Sequence, residues 1–492
     1  MPPLNPNGLP VAVGRVTLRT PGLEGSASEL PTAAEAVRAR TLSSEAFETA
    51  LTTHGFERQE VVEITGAREI PGAVETRGTR FDGPAIEVEV PSPGATFGQL
   101  LLYTDEAGVC TWHLARDAEG RVADTRGNGT TRTYLIRRAV AATDASGATR
   151  GVLGLVGSKL LQVLVFPLID KFVGKIAQNY AEKWEEHNRP YQVRTFTPAN
   201  YTQPADSLSA ADWARLQGGV ALLFVHGTFG RAAGAFPTLP VARMQEFDQL
   251  YQGRLLAFDH FTISHDPLVN AQHFVRAMPA GAKLELDIFC HSRGGLVSRA
   301  LSERADELGL GDRQLTVRRL VFVASPNAGC VLADPDYMTH FVDRYTNWVN
   351  FLPSSGVTDV LSGVLTVLKQ LAAGVLGGMS GLESMVPQGP FLKKLNSGNS
   401  GSGRYYALSS NYEPKNPDLK AFARNALMDQ IFAAENDLVV PTAGVWDKNG
   451  SGHFPLVAPD LLLFGPQDGI DHGGFFADEA SMTQVMTWLS VA

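Results

Sequence analysis

Four largely apolar runs, separated by helical segments, dominate the C-terminal part of the chain. The runs lie at 220–225, 254–258, 284–289 and 320–324. Strands in which apolar residues predominate are typical of a sheet buried on both faces, as in a parallel sheet covered by helices. Residues 216–492 are therefore predicted to form a doubly wound, mostly parallel α/β domain, with its site at the carboxyl ends of the strands.

The N-terminal part has a different pattern. Short segments with strand character, such as Ala85–Val90 and Thr131–Arg137, are separated by polar turns. Residues 1–145 are therefore predicted to be a β-rich, sandwich-like accessory domain, and no residue cluster in them suggests chemistry. Residues 146–215 are predicted to be a helical connector, with one long helix over about 152–187.

Composition excludes several classes of function. The chain has 42 Lys and Arg against 51 Asp and Glu, a net charge of −9, and no long basic run, so nucleic acid is not an expected partner. Its three cysteines, Cys110, Cys290 and Cys330, match neither a disulfide framework nor a zinc motif and are predicted to be buried or incidental thiols. No metal and no cofactor is expected.

Targeting and membrane signals are weak. The N-terminus lacks a charged segment followed by an apolar one, so a cytoplasmic protein is the expectation, and export without a signal stays open. Two apolar segments, 151–177 and 356–379, contain charged residues and are predicted to be packed or interfacial helices rather than spans. A peripheral contact with a lipid interface remains an alternative.

A candidate nucleophile follows the third apolar run. The segment CHSRGG at 290–295 lies between a predicted strand and a predicted helix. This is the context of a nucleophile elbow, in which a serine occupies a strained turn between small residues. Ser292 is the predicted nucleophile; Gly294 fills the second small position, and Cys290 stands at the first.

A serine hydroxyl needs a base, and the base needs an orienting acid. Because the partners follow the serine along the chain in the order acid, histidine, His472 in the glycine-rich GIDHGGFF loop is the predicted base, with His453 as the alternative. The predicted acid is Asp437 in ENDLVVP, with Glu435 as the alternative. Asp471 is excluded because it adjoins His472 in sequence.

The oxyanion that forms during acyl transfer needs hydrogen-bond donors. The first apolar run ends in HGTFG at 226–230. The backbone amides of Thr228 and Arg293 are the predicted donors, because one comes from an early strand–helix loop and the other follows the nucleophile. Phe229 and His291 are further candidates for contact with substrate, although the His291 side chain is expected to diverge from that of Ser292.

These motifs resemble the bacterial lipase/esterase branch of the α/β-hydrolase superfamily. The resemblance covers nearly all of 216–492, and it departs from the family pattern at Cys290, where glycine is usual, and at Arg293. It implies hydrolysis of carboxylic esters through an acyl-enzyme, without a metal in the chemistry. The matching segments, in order, are LLFVHGTFG (222–230), FCHSRGGLVSRAL (289–301), LVFVASPNAG (320–329), GLESMVPQGPFLKKLN (381–396), AENDLVVP (434–441) and IDHGGF (470–475).

An insertion at 334–396 interrupts the sheet pattern and contains an apolar helix. It is predicted to be a helical lid or cap over the nucleophile, either mobile or packed as ordinary core. The candidate residues of the acyl pocket are Trp348, Phe351, Leu361 and Leu365.

The sequence thus predicts a serine hydrolase that cleaves a small-molecule or lipid ester. Acyl transfer, thioester hydrolysis and phospholipid hydrolysis use the same triad and stay as alternatives. An alternative of another class is a non-catalytic binding module on this fold. The physiological ester and the oligomeric state have no sequence signal.

Overall fold

The computed structural model gives the chain an N-terminal β part and a C-terminal α/β part. It describes residues 1–34, 37, 45–70, 85–105, 108–116, 129–136, 158–168, 180–330, 337–351, 357–373, 378–398, 401–413, 435–448 and 452–490.

The described strands of the N-terminal part form two antiparallel sheets. One has the order β1-β2-β5-β8 and the other the order β3-β4-β9-β6-β7. The strand bounds are β1 Val11–Val13, β2 Val16–Arg19, β3 Leu23–Glu29, β4 Glu57–Glu69, β5 Ile86–Pro91, β6 Phe97–Thr104, β7 Cys110–His113, β8 Thr131–Ile136 and β9 Ser158–Pro167.

The two N-terminal sheets pack face to face. Leu18 and Val88 from the first sheet share one buried apolar cluster with Ile64, Leu101 and Val163 from the second. Alternate residues of a strand face opposite sides of its sheet, so each strand contributes half of its side chains to this core. The predicted β-rich character of the N-terminal part is confirmed.

The prediction of one long helix over 152–187 is wrong in its first half. Residues Ser158–Pro167 form strand β9, which lies between β4 and β6 and pairs antiparallel with both. Nine of its ten positions are at least partly buried, because the sheet is covered on both faces. A short, fully buried apolar run has the same composition in a strand as in a helix, so its periodicity does not separate the two. Among the described residues of the predicted range 152–187, only those of the helix Tyr180–Asn188 are helical.

The C-terminal part contains a seven-stranded sheet of described strands, with the order β10-β12-β11-β13-β14-β15-β16. The β10–β12 pair is antiparallel and the remaining pairs are parallel. The predicted α/β-hydrolase fold, with its mostly parallel sheet, is confirmed. The strand bounds are β10 Gln192–Thr195, β11 Ala221–Val225, β12 Leu255–Asp259, β13 Lys283–His291, β14 Gln314–Val323, β15 Arg404–Ser410 and β16 Leu461–Phe464.

Helices cover both faces of this sheet, which is the doubly wound arrangement. Phe274 and Leu296 pack on one face, and Phe247 and Val485 on the other. The described α-helices are α1 Glu45–Thr53, α2 Tyr180–Asn188, α3 Ala210–Leu216, α4 Ala232–Ala235, α5 Val241–Leu250, α6 Pro267–Ala277, α7 Gly294–Glu303, α8 Tyr337–Phe351, α9 Val357–Ala372, α10 Ser380–Glu383, α11 Pro390–Asn396, α12 Ala443–Trp446 and α13 Glu479–Ser490.

The predicted insertion places helices α8 and α9 between β14 and β15, and we call this pair the cap. Its side chains Val349 and Leu368 share a buried cluster with Leu102 and Trp112 of the N-terminal sheet. The cap therefore lies between the N-terminal sheet and the α/β domain. None of the helices in the described ranges combines the length and apolarity needed to cross a bilayer.

Candidate active site

Ser292 lies in a sharp turn between strand β13 and helix α7. Its φ is 53°, in the left-handed region that side chains other than glycine rarely adopt. A Cβ on Gly294 would lie 2.5 Å from the carbonyl oxygen of Val225, and a Cβ on Gly227 would lie 2.6 Å from Cβ of Ser292. Glycine is therefore required at both positions, as expected of a nucleophile elbow.

The structure brings His472 and Asp437 together. Nδ1 of His472 donates to Oδ2 of Asp437 at 2.9 Å, and the backbone N–H of His472 donates to the Asp437 carbonyl at 2.9 Å. The other oxygen, Oδ1, accepts from the backbone N–H groups of Val439 and Val440. The carboxylate is thus fixed, and it places the proton of the imidazole on Nδ1.

Nε2 is the ring nitrogen of His472 that does not contact Asp437. It is buried and has no hydrogen-bond partner among the described residues. His472 and Ser292 line the same cavity. An unprotonated ring nitrogen facing a cavity that holds a serine hydroxyl can accept the proton of that hydroxyl. The alternative residues differ: Glu435 is exposed, and Nε2 of His453 contacts the carbonyl of Gly401 at 2.7 Å.

The backbone N–H groups of the HGTFG loop differ in whether they have an acceptor within the protein. Phe229 has a φ of 60°, and its N–H donates to Oγ1 of Thr262 at 3.2 Å. By contrast, the N–H groups of Thr228 and Arg293 donate to no protein atom in the described part of the chain. These two amides, beside Ser292, are the pair predicted for the oxyanion.

Arg293 supports the elbow through its side chain, a role that sequence analysis missed. Its guanidinium is buried and donates to the carbonyls of Gly381 at 2.8 Å and His265 at 2.5 Å. Burial lowers the pKa of this guanidinium to about 10, so it stays charged at neutral pH. The residue after the nucleophile is thereby tied to the loop that follows β12 and to helix α10.

The prediction that His291 diverges from the site is wrong. It lines the cavity with Ser292, and its Nε2 donates to the carbonyl of His472 at 2.8 Å. The ring centroids of His291 and His472 lie 4.7 Å apart. The residue before the nucleophile therefore supports the loop that carries the candidate base.

Of the residues predicted for the acyl pocket, the structure places Trp348 at the cavity and Leu361 and Leu365 in the core. Trp348 lines the cavity, and its ring lies 5.6 Å from that of His472. Leu361, Leu365 and Phe229 are fully buried in the hydrophobic core and do not line the cavity. Because α9 is apolar around much of its circumference, composition does not tell its core face from its cavity face. The side chain of Phe351 lies outside the described residues.

Several residues that line the cavity were not predicted, and three of them matter most for the proposed chemistry. Val349 and Val360 supply apolar wall, and Tyr345 lies next to Ser292. Tyr345 stands three positions before Trp348 on helix α8, and residues three apart share a helix face. That spacing is the signal that could have identified it.

The three cysteines are buried and form no disulfide. No group of three or more His, Cys, Asp or Glu side chains within the described ranges could hold a metal ion.

Buried histidines beside the site predict sensitivity to acid. Burial lowers the pKa of His291 to about 3 and of His226 to about 4, and it holds that of His260 well below 6.5. Below pH 6.5 the unfolded chain takes up protons at these rings and the folded protein does not. The free energy of unfolding should therefore decrease as the pH is lowered, by up to about 1.4 kcal/mol per pH unit for each ring.

Thermal melts at pH 7, 6 and 5 measure this effect, and Tm should decrease at each step. His291→Gln removes one of the three rings and should make the decrease shallower. A Tm that stays constant from pH 7 to 5 would contradict the prediction.

A family model described as "Domain of unknown function (DUF7379)" matches residues 188–490. This range contains the seven-stranded sheet, the cap and every residue of the candidate site. No curated protein sequence matches the chain.

Solved structures with similar folds include three hydrolases. Lipase 1 from Pelosinus fermentans is 13% identical, with 55% of this chain and 97% of that chain covered and a TM-score of 0.35. Carboxylesterase CesB from Bacillus subtilis is 13% identical, with 55% and 82% covered and a TM-score of 0.28. Aspergillus fumigatus lipase B is 12% identical, with 56% and 53% covered and a TM-score of 0.29, so the match spans about half of that enzyme. No residue role or substrate follows from likenesses this weak.

Proposed function

Since the chain belongs, over residues 188–490, to a family described only as a domain of unknown function, we propose from its own site that it is a serine hydrolase of carboxylic esters. One observation carries the proposal. Nδ1 of His472 donates to Asp437, its Nε2 is unpartnered among the described residues, and His472 lines the same cavity as Ser292.

In the proposed reaction, Ser292 Oγ attacks the ester carbonyl and its proton passes to Nε2 of His472. Asp437 keeps the imidazole in the Nδ1–H form and stabilises the imidazolium. The N–H groups of Thr228 and Arg293 donate to the oxyanion of the tetrahedral intermediate. His472 then protonates the leaving alcohol, and an acyl group remains on Ser292.

The second half of the reaction removes the acyl group. A water molecule loses a proton to Nε2 of His472 as it attacks the acyl-enzyme. The tetrahedral intermediate then collapses, His472 returns the proton to Ser292 Oγ, and the acid is released. The wall formed by Trp348, Val349 and Val360 is apolar and suits an acyl chain. Acyl transfer to an alcohol or amine differs only in replacing this water.

Labelling with a fluorophosphonate tests the proposal directly, because such probes phosphonylate activated serines. We expect one label, on the peptide that carries Ser292, and turnover of p-nitrophenyl esters. Ser298→Ala is the matched control, since that hydroxyl donates to Gly294 within helix α7 and its loss should leave labelling intact. An unlabelled Ser292 in folded protein would favour a binding module over an enzyme.

A substrate series separates the chemical alternatives. p-Nitrophenyl esters of increasing acyl length, the matching thioesters and a phospholipid should be compared with and without a lipid interface. The proposal expects oxygen esters to have the highest kcat/KM. A clear preference for thioesters would be consistent with the same triad but would make thioesters, not oxygen esters, the substrate class.

A further inference from the structure

We propose that Tyr345, on cap helix α8, is a catalytic residue that donates a third hydrogen bond to the oxyanion. The inference rests on the proposed function, because the oxyanion is that of the ester reaction. It assigns a chemical role to the cap beyond covering the cavity.

The position of Tyr345 provides the first argument. It lines the cavity together with Ser292 and Thr228. Its ring is held on edge, 5.0 Å from the ring of Phe229 and 6.4 Å from that of His472, with both interplanar angles near perpendicular. Since these contacts fix the ring, the position of the hydroxyl oxygen is set before substrate arrives and only its O–H bond has to rotate, which favours stabilisation of a transition state.

The state of the hydroxyl provides the second argument. Burial raises the pKa of Tyr345, and hydrogen bonds with the side chains of Ser292 and Thr228 lower it by less. The hydroxyl therefore keeps its proton at neutral pH and is a donor. These two hydrogen bonds place the hydroxyl beside the attacking serine and beside the side chain of Thr228, whose amide is the first predicted oxyanion donor.

The opposite face of α8 provides the third argument. Asn347 accepts from the N–H of Cys110 and donates to its carbonyl, both at 2.7 Å, and Asp343 accepts from the N–H of Trp112 at 2.8 Å. Trp112 also donates through Nε1 to Oγ1 of Thr346. Residues 343, 346 and 347 lie on the helix face opposite 345 and 348. Strand β7 of the N-terminal sheet therefore holds the helix that carries Tyr345.

The proposed role involves no transfer of the tyrosine proton. In the free enzyme the hydroxyl contacts Ser292, and Nε2 of His472 has no partner among the described residues. When the ester binds, Ser292 turns its O–H to His472, and the Tyr345 O–H turns to the carbonyl oxygen. The bond strengthens as negative charge develops there, and Tyr345 stays neutral throughout.

Tyr345→Phe removes the donor and retains the ring contacts. Loss of one oxyanion donor should lower kcat by about 100-fold, with KM changed little, because the bond is strongest in the transition state. Affinity for a trifluoromethyl ketone, which forms a tetrahedral oxyanion on Ser292, should fall by a similar factor. Tyr201→Phe is the control: that buried hydroxyl donates to the carbonyl of Leu239 and lines no part of the cavity, so kcat should not change.

Two outcomes would overturn the inference while leaving the proposed function intact. One is a Tyr345→Phe protein that labels at Ser292 and retains full kcat. The other is a change in KM alone, which would make Tyr345 a substrate contact. If Tyr345→Phe does not fold, 3-fluorotyrosine at position 345 replaces it. This more acidic hydroxyl should bind the ketone more tightly, and unchanged binding would overturn the inference. Absence of labelling in the unsubstituted protein would instead refute the hydrolase proposal.

Discussion

Ser292→Ala should abolish turnover of p-nitrophenyl esters, lowering kcat/KM by roughly a thousandfold or more. The hydroxyl is the only group removed, and its oxygen is the atom that would carry the acyl group in the acyl-enzyme. Residual hydrolysis at a low level is expected, because the amides of Thr228 and Arg293 would still bind a carbonyl oxygen attacked by water. The measurement is a steady-state assay with active protein quantified by titration.

The same variant should fold normally. Alanine has the same Cβ as serine, so neither the positive φ of the turn nor the close approach to Gly227 changes. Tm should therefore stay close to that of the unsubstituted protein. Full activity in a folded Ser292→Ala protein would remove the nucleophile from the proposal.

Asp437→Asn should lower kcat/KM by about 10⁴-fold at neutral pH. The amide oxygen can keep the bonds from Val439 and Val440, but the amide nitrogen then faces Nδ1 of His472. Because that nitrogen is a donor, the ring must carry its proton on Nε2, which can no longer accept from Ser292. The loss should fall on kcat, since no substrate contact is removed.

Glu435→Gln is the matched control for this prediction. Glu435 lies two residues away, is exposed, and contributes only its carbonyl, as an acceptor from the N–H of Thr442. Its kinetics should match the unsubstituted protein. If Glu435→Gln loses activity and Asp437→Asn retains it, the acid has been assigned to the wrong carboxylate.

Local features allowed the core of the site to be predicted. The elbow at Ser292 and the HG turn at 226–227 depend on a strand end, a small residue and a helix start, all within about ten residues. Their order along the chain then selected His472 and Asp437. Each signal is short-range, so the sequence carries it without knowledge of the rest of the fold.

The errors arose where partners distant in sequence decide the structure. The predicted helix over β9 fails because an apolar run of this kind is ambiguous until β4 and β6 flank it. The prediction of Leu361 and Leu365 in the pocket fails because the orientation of α9 is set by the helices and the strand packed against it, which lie far away in sequence or have no local signal. In both cases the local sequence has only a weak preference, and buried contacts decide the secondary structure of β9 and the orientation of α9.

The sequence by itself determined the type of domain, the turn that strains Ser292, and the identity of the acid and base candidates, because backbone sterics and strand polarity act over short stretches. Only the tertiary structure decided that Tyr345 faces the nucleophile and that strand β7 holds its helix. The contacts between β7 and that helix join residues more than 200 positions apart, such as Cys110 and Asn347. Such pairings form when surfaces from both parts of the chain are buried together, so no local pattern reveals them.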